Sequence, residues 1–328
     1  MADVLGANVH LGLGAEATPG TAVAPTRWLG KLEFDFFERQ DGILNETAYG
    51  HLAAHSGRHV LREFGEGSMT SKLFDRSYGD LLVLLFGQAP TTADVVGDTT
   101  VKDHTFELLN STEHKTYTLA VQEGDVEDMR YPGAMVTGGS IEIAVDDYVR
   151  TSVDFLSQLP ATATNTPAYT EENEFVPSHV TTKLVADGGD LDAASALADV
   201  RSITVNIGKN PIRKETLGNK NVTPRIGRNE ATIEMELYYN ATTFRDYRRN
   251  NTKLNLRVDI TNTDVTIGTS SNPRLRLEAP VYVEDWEPGY DEGDLIMQTV
   301  TFRVVRDVGS GDWLTAVLRN LATVYPTA

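Results

Sequence analysis

Apolar and polar residues alternate with period two along most of the chain. The first half carries the pattern in "KLEFDFF" (31–37), "SMTSKLF" (68–74), "KTYTLAV" (115–121), "GSIEIAV" (139–145) and "TSVDFLS" (151–157). The second half carries it in "SITVNIG" (202–208), "ATIEMELYY" (231–239), "KLNLRVDI" (253–260), "PVYVED" (280–285) and "QTVTFRVV" (298–305). Short alternating runs joined by Gly, Asn and Asp turns predict a mainly β protein built as sandwiches or barrels. Three segments read as helices instead: "YGDLLVLLFG" after Ser77, "ATTFRDYRRN" after Asn240 and "DWLTAVLRNLA" after Gly311. In the last, Asp312 stands as a cap, and Trp313, Val317 and Leu321 share one helical face.

The order of these elements repeats. A strand (Leu32 to Phe36), a long polar loop through Gly50 and Gly57, a strand (Met69 to Phe74), a helix (Gly79 to Phe86), a strand (Thr116 to Gln122) and a hairpin (Met135 to Leu156) make the first round. Ile203 to Ile207, a loop through Gly218 and Gly227, Thr232 to Tyr239, Thr242 to Arg249, Leu254 to Ile260 and a hairpin from Val281 to Val304 make the second. Between them "LPATATNTPAYTEENEFVP" is Thr-, Pro- and acid-rich, the composition of a linker. The expected organisation is a first β domain with an N-terminal arm (1–158), a linker (159–178) and a second β domain with a C-terminal segment (179–328), each domain with one flanking helix.

Alternation gives each sheet one core face and one water face. The water-facing positions are notably acidic: Glu33 and Asp35, Glu142, and Glu234 and Glu236. That fits a formal charge of -18 over 328 residues, which argues against any surface that grips nucleic acid and suits one that repels it. Apolar content of 40% is ample for a core, and the longest apolar run, Leu81 to Phe86, is far short of a membrane span. No basic-then-apolar signal pattern opens the chain. With no cysteine, disulfides, thiolate metal sites and cysteine nucleophiles are excluded.

Four patterns resemble chemistry and fall short of it. Gly12, Gly14 and Ala17 have dinucleotide-loop spacing, but Pro19, Gly20 and Pro25 prevent the helix whose amides would hold the phosphates, leaving an N-terminal arm. His51, His55 and His59 are spaced four apart, but Leu52 stands where a zinc protease needs its glutamate. The acid clusters Asp187 to Asp192 and Asp285 to Asp294 lack the spacing of a calcium loop. The sequons at Asn45, Asn110, Asn221, Asn240 and Asn250 mean little without an export signal. No cofactor, metal or catalytic constellation is expected.

The opening "EATPGTAVAPTRWLGKLEFDF", the later "SYGDLLVLLFG" and "YPGAMVTGGSIEIAVDDYVRTSVDF" resemble the major tail tube proteins of long-tailed double-stranded DNA viruses. So do "VRSITVNIGKN", "ATIEMELYYNATTFRDY" and "LRLEAPVYVEDWEPGYDEGDLIMQTVTFRVV" in the second half. The resemblance implies a structural protein of the virion tail, assembled in the host cytoplasm. Six tube domains would close side by side into a ring whose inner sheets form one barrel, and rings would stack into a tube through which viral DNA passes without specific binding.

Two domains per chain imply trimeric rings with pseudo-six-fold symmetry, with six copies of the chain as the alternative. The implied partners are further copies of the chain and other tail proteins such as the tape measure and terminator. Glu33, Asp35, Glu142, Glu234 and Glu236 are the candidates for an acidic lumen. The loops Gln40 to His59 and Gly208 to Gly227 lie where the family reaches the adjacent ring, which makes Tyr49, Gly50, His51, His55, Gly218, Asn219 and Lys220 the inter-ring candidates. The competing reading is a carbohydrate-binding or adhesive β-sandwich on the virion, whose mark would be aromatic side chains gathered in a groove.

Overall fold

The computed structural model describes residues 5–47, 49–290, 294–309 and 311–326. In the first half β1 (Val9–Ala15), β2 (Arg27–Leu29), β3 (Glu33–Asn45) and β4 (Gly57–Lys72) precede α1 (Ser77–Phe86). They are followed by β5 (Thr91–Val95), β6 (Asp98–Phe106), β7 (Tyr117–Glu123), β8 (Glu127–Ala144), β9 (Arg150–Ser157) and the short β10 (Ala161–Thr162). The second half has β11 (Val180–Ala186), β12 (Val200–Gly208), β13 (Pro211–Lys214), β14 (Thr223–Ile226) and β15 (Glu230–Tyr238) before α2 (Thr243–Arg249). It closes with β16 (Leu254–Thr261), β17 (Arg274–Gly289), β18 (Met297–Val304) and β19 (Thr315–Asn320). The protein is mainly β, and among the described residues every pairing between these strands is antiparallel.

The pairings repeat between the halves. In the first, β1 pairs with β7, β7 with the start of β8, the end of β8 with β9, β9 with β4, and β4 with β3. In the second, β11, β16, β17, β18, β15 and β12 pair in that same order. The long strands β8 and β17 serve two sheets each, and each carries a register shift where it changes partner, between Val136 and Gly138 and between Val283 and Asp285. An extra residue on one strand bends it, so the bulge turns the strand from an outer layer into an inner one.

The inner layers of the two halves are one sheet. Gly138–Ala144 of β8 pairs along Ser202–Gly208 of β12, giving the order β3-β4-β9-β8-β12-β15-β18-β17. Across the seam Ile141, Ile143, Ile203, Val205 and Ile207 are buried on one face and belong to a core cluster spanning both halves. The helix α1 is buried along its whole length, and Gly87 ends it in the left-handed conformation, its N–H bonding the Val83 carbonyl.

Three expectations change. The N-terminal "arm" is the strand β1: Leu11 and Leu13 are buried against β7, and each fully buried leucine contributes about 1.5–3 kcal/mol, enough to hold the strand down within one chain. Gly12 and Gly14 are small because Pro25 and Ala24 cross them, within 2.7 and 2.5 Å of where a Cβ would sit. The "linker" packs along the first half. Its Phe175 is fully buried, Asn173 exchanges hydrogen bonds with Asp75, and Glu172 accepts from the Ser77 hydroxyl at the start of α1 (2.6 Å).

The third helix is a strand. Every second residue is buried from Leu314, just before β19, through Ala316, Leu318 and Asn320 within it, and β19 lies between β17 and β6. The hairpin β5–β6 thus extends from the first half to complete the outer layer of the second.

Candidate functional site

The exposed face of the inner sheet is built by register. Glu142 stands opposite Thr204, Thr204 opposite Glu234, and Glu234 opposite Thr301, which faces Asp285. The next row places Ala144, Ser202, Glu236, Thr299 and Glu287 in line. At the other end Glu33 lies opposite Thr70 and Ser152, and Asp35 opposite Ser68 and Asp154. All five acids singled out in the sequence therefore lie on one face of one sheet. Their intervening neighbours Phe34, Ile141, Ile143, Ile233, Met235 and Leu237 pack against the core on the other.

In the rows of these acids, three cations are tied to carboxylates. Arg303 forks onto Glu284 (2.9 and 3.0 Å), which raises its pKa, and Lys72 donates to Glu174 (2.8 Å), which does the same for its ammonium. Arg150 pairs with Asp147. Among the described residues Glu33, Asp35, Glu234 and Glu236 take part in no ion pair. Between the acids the rows are filled by serine, threonine and asparagine, so they are negative and hydroxyl-lined; farther along β3 on the same face, Arg39 stacks over the Phe37 ring (3.9 Å).

The two long loops differ in form. The first is not a loop but a ribbon: β3 and β4 stay paired out to Asn45 and Gly57, beyond the edge of the core, with Phe37, Ile43, Leu44 and Leu61 exposed along it. Tyr49, Gly50, His51 and His55 sit at its tip, and Tyr49 and Leu52 are fully in water or nearly so. His59 lies in β4 opposite Ile43, so the three histidines share no helical face. Among the described residues no group of three or more His, Asp or Glu is placed to hold a metal ion.

The second loop is the hairpin β13–β14, whose turn holds Gly218, Asn219 and Lys220. It folds back onto the base of the first ribbon. The Lys220 carbonyl accepts from the Glu63 amide (3.0 Å), Arg213 pairs with Glu66 (2.8 Å), and Val222 is buried with Phe64 and Leu156.

Further acids on the same face, Asp154, Asp285 and Glu287, were missed by single-strand reading. For Asp154 the alternation in "TSVDFLS" already carried the signal. For the other two the bulge at Glu284 reverses which residues face out, and only the pairing reveals it. Part of the acid cluster, residues 291–293, lies outside the described residues, as does Val4 of the supposed arm. Of the tryptophans, Trp28 is buried and Trp286 donates its indole N–H to Gln298 (2.8 Å); Trp313 is part-buried against the core, so the three form no shared groove.

The model of the phage tail tube protein family matches residues 6–304. The chain belongs to that family. Its role is therefore structural, as a component of a virion tail, and no helix among the described residues is long and apolar enough to cross a membrane. Among solved structures this tail tube chain is similar to one described as a hybrid structure of the SPP1 tail tube by solid-state NMR and cryo-EM. The identity is 11% and the TM-score 0.34, covering 44% of this chain and 78% of that one. No curated protein matches.

Proposed function

We propose that the two halves are two tube domains, 1–158 and 179–328 joined by the packed segment between them, and that three copies of the chain close into a ring of the tail tube. The observation that carries this is the seam between β8 and β12. By the repeated pairing order, β8 corresponds to β17 and β12 to β3. Among the described residues, the end of β17 and the strand β3 each have a partner on one side only, β18 and β4. The same seam can form again between copies, and each repetition removes two open sheet edges that otherwise invite aggregation.

Corresponding positions fix the register of that second seam. Thr204 faces Glu142 within the chain. Carried over through the bulges, Asp35 faces Gly289 of the next copy, Phe37 faces Glu287, and Arg39 faces Asp285. The ring then encloses the acidic face, which becomes the lumen. DNA carries about one charge per 1.7 Å, so such a wall offers it no counter-charge and lets it slide. The exposed apolar side chains at the far end of the β3–β4 ribbon, Ile43, Leu44 and Leu61, and its tip form the contact with the adjacent ring. End-on electron microscopy of assembled tubes tests the stoichiometry: three-fold symmetry with six similar lobes supports it, and strict six-fold symmetry with twelve lobes contradicts it.

A further inference from the structure

The outer face of the second half holds a cluster of cations that the tube leaves unexplained in a chain of net charge -18. A cavity of about 350 Å³ opens there between β16, β17 and β19, lined by Arg257, Arg274, Arg276 and Arg319 together with Lys183, the carboxylates Asp192 and Asp259 that pair with them, and the hydroxyls of Thr181, Ser270 and Ser271. Register explains the crowding: Arg319 of β19 stands directly opposite Arg274 of β17, with Arg276 two residues along on the same face.

Three of these arginines are satisfied. Arg319 donates to both oxygens of Asp103 (2.7 Å each), Arg276 to Asp259 (2.8 Å), and Arg257 to Glu278 (2.6 Å) and Asp192. Arg274 is not. Its nearest carboxylate is Asp103 at 3.7 Å, whose two oxygens Arg319 already holds, and its Nε is buried without a hydrogen-bond partner.

The first half carries a buried anion on its own outer sheet, at the end that corresponds by register to Asp187 rather than to the cavity. There the chain covers its own outer sheet: Glu16 accepts from the Thr116 and Thr118 hydroxyls (2.7 and 2.8 Å) and the Gly133 amide (2.8 Å), and Val23 donates to Thr118. A carboxylate from the preceding segment is the buried anion of that face. In the second half the cavity remains open, with a guanidinium at its floor and hydroxyl donors at its rim.

We propose that this cavity is an oxyanion-binding site of the phosphate class, with Arg274 as its anchoring residue. A guanidinium presents donors as a planar fork, and hydroxyls from several directions suit an anion with more than two oxygens. Burial, followed by the charges of Arg276 and Arg319, lowers the pKa of Arg274, the condition that a bound anion would relieve. The site stands on the geometry of the outer face and does not depend on ring stoichiometry.

The test uses the full chain and inorganic phosphate. Binding is followed by ³¹P NMR titration, and thermal midpoints are measured in phosphate, acetate and chloride at equal ionic strength. Phosphate is expected to raise the midpoint above the other two. Arg274→Met should abolish that difference, and Arg274→Lys, which keeps the charge and loses the fork, should weaken phosphate binding roughly tenfold. Arg303→Met, on the opposite layer, should leave it intact. Equal phosphate effects in wild type and Arg274→Met overturn the proposal. So does acetate matching phosphate, which would mark a site for carboxylate side chains, or undiminished binding by Arg274→Lys.

Discussion

Lys209 shows what a single side chain contributes to joining the halves. It is fully buried, its ammonium donates to the Leu84 carbonyl at the end of α1, and its amide bonds Thr137 across the seam. The carbonyl end of a helix is a favourable place for a cation, yet burial pulls the lysine pKa down to about 7. Burial, then the charge of Lys209, likewise lowers His114 nearby to about 4. Between pH 7 and the ordinary lysine value, the unfolded chain binds a proton at Lys209 that the folded chain lacks, so stability rises with pH across that window.

Lys209→Met should remove this contribution. Its unfolding free energy, measured by denaturant titration, should gain less between pH 7 and 10 than wild type, by up to about 1.4 kcal/mol per pH unit. On the sheet face, Glu234→Lys with Glu236→Lys is expected to leave tubes assembled and slow DNA ejection, because two cations per chain would then meet the phosphates. Ejection at the wild-type rate in a fluorescence assay would remove these residues from the lumen. Alternation alone identified these two residues and the other three acids. The pairing of Lys209 with a helix end 125 residues away has no local signature.

Among elements, those with a strong internal period were the most legible. The strands of "ATIEMELYY" and "QTVTFRVV" and the helix "YGDLLVLLFG" stand where their patterns predicted. The segment "LTAVLRNLA" misled because Leu, Ala and Arg favour helices and its apolar residues fit either period. Two open strand edges, β6 and β17, decided it, and that is information from outside the segment. The β3–β4 ribbon has the sequence of a loop because neither face of its outer part is buried, so it shows no alternation. Deleting residues 49–56 from its tip should cost little stability, since none of these described side chains is buried, but prevent rings from stacking. Negative-stain images should show folded particles or isolated rings and no tubes; tubes of normal length would refute the inter-ring role.

For the whole molecule, the central claim is that the seam inside the chain is repeated between chains. The repeated pairing order was legible as element order, whereas the continuity of the inner sheet was not, because hydrogen bonding between β8 and β12 leaves no trace in either strand alone. Directly opposed residues in an antiparallel pair have Cα atoms about 4.5–5.5 Å apart, within disulfide reach, and the chain has no cysteine of its own. The variant carrying both Phe37→Cys and Glu287→Cys, assembled and then oxidised, is the most direct test. Covalent trimers on non-reducing gels, absent from either single variant and absent before assembly, are the predicted result. Assembled tubes that yield only monomers, or ladders running through six, would contradict it.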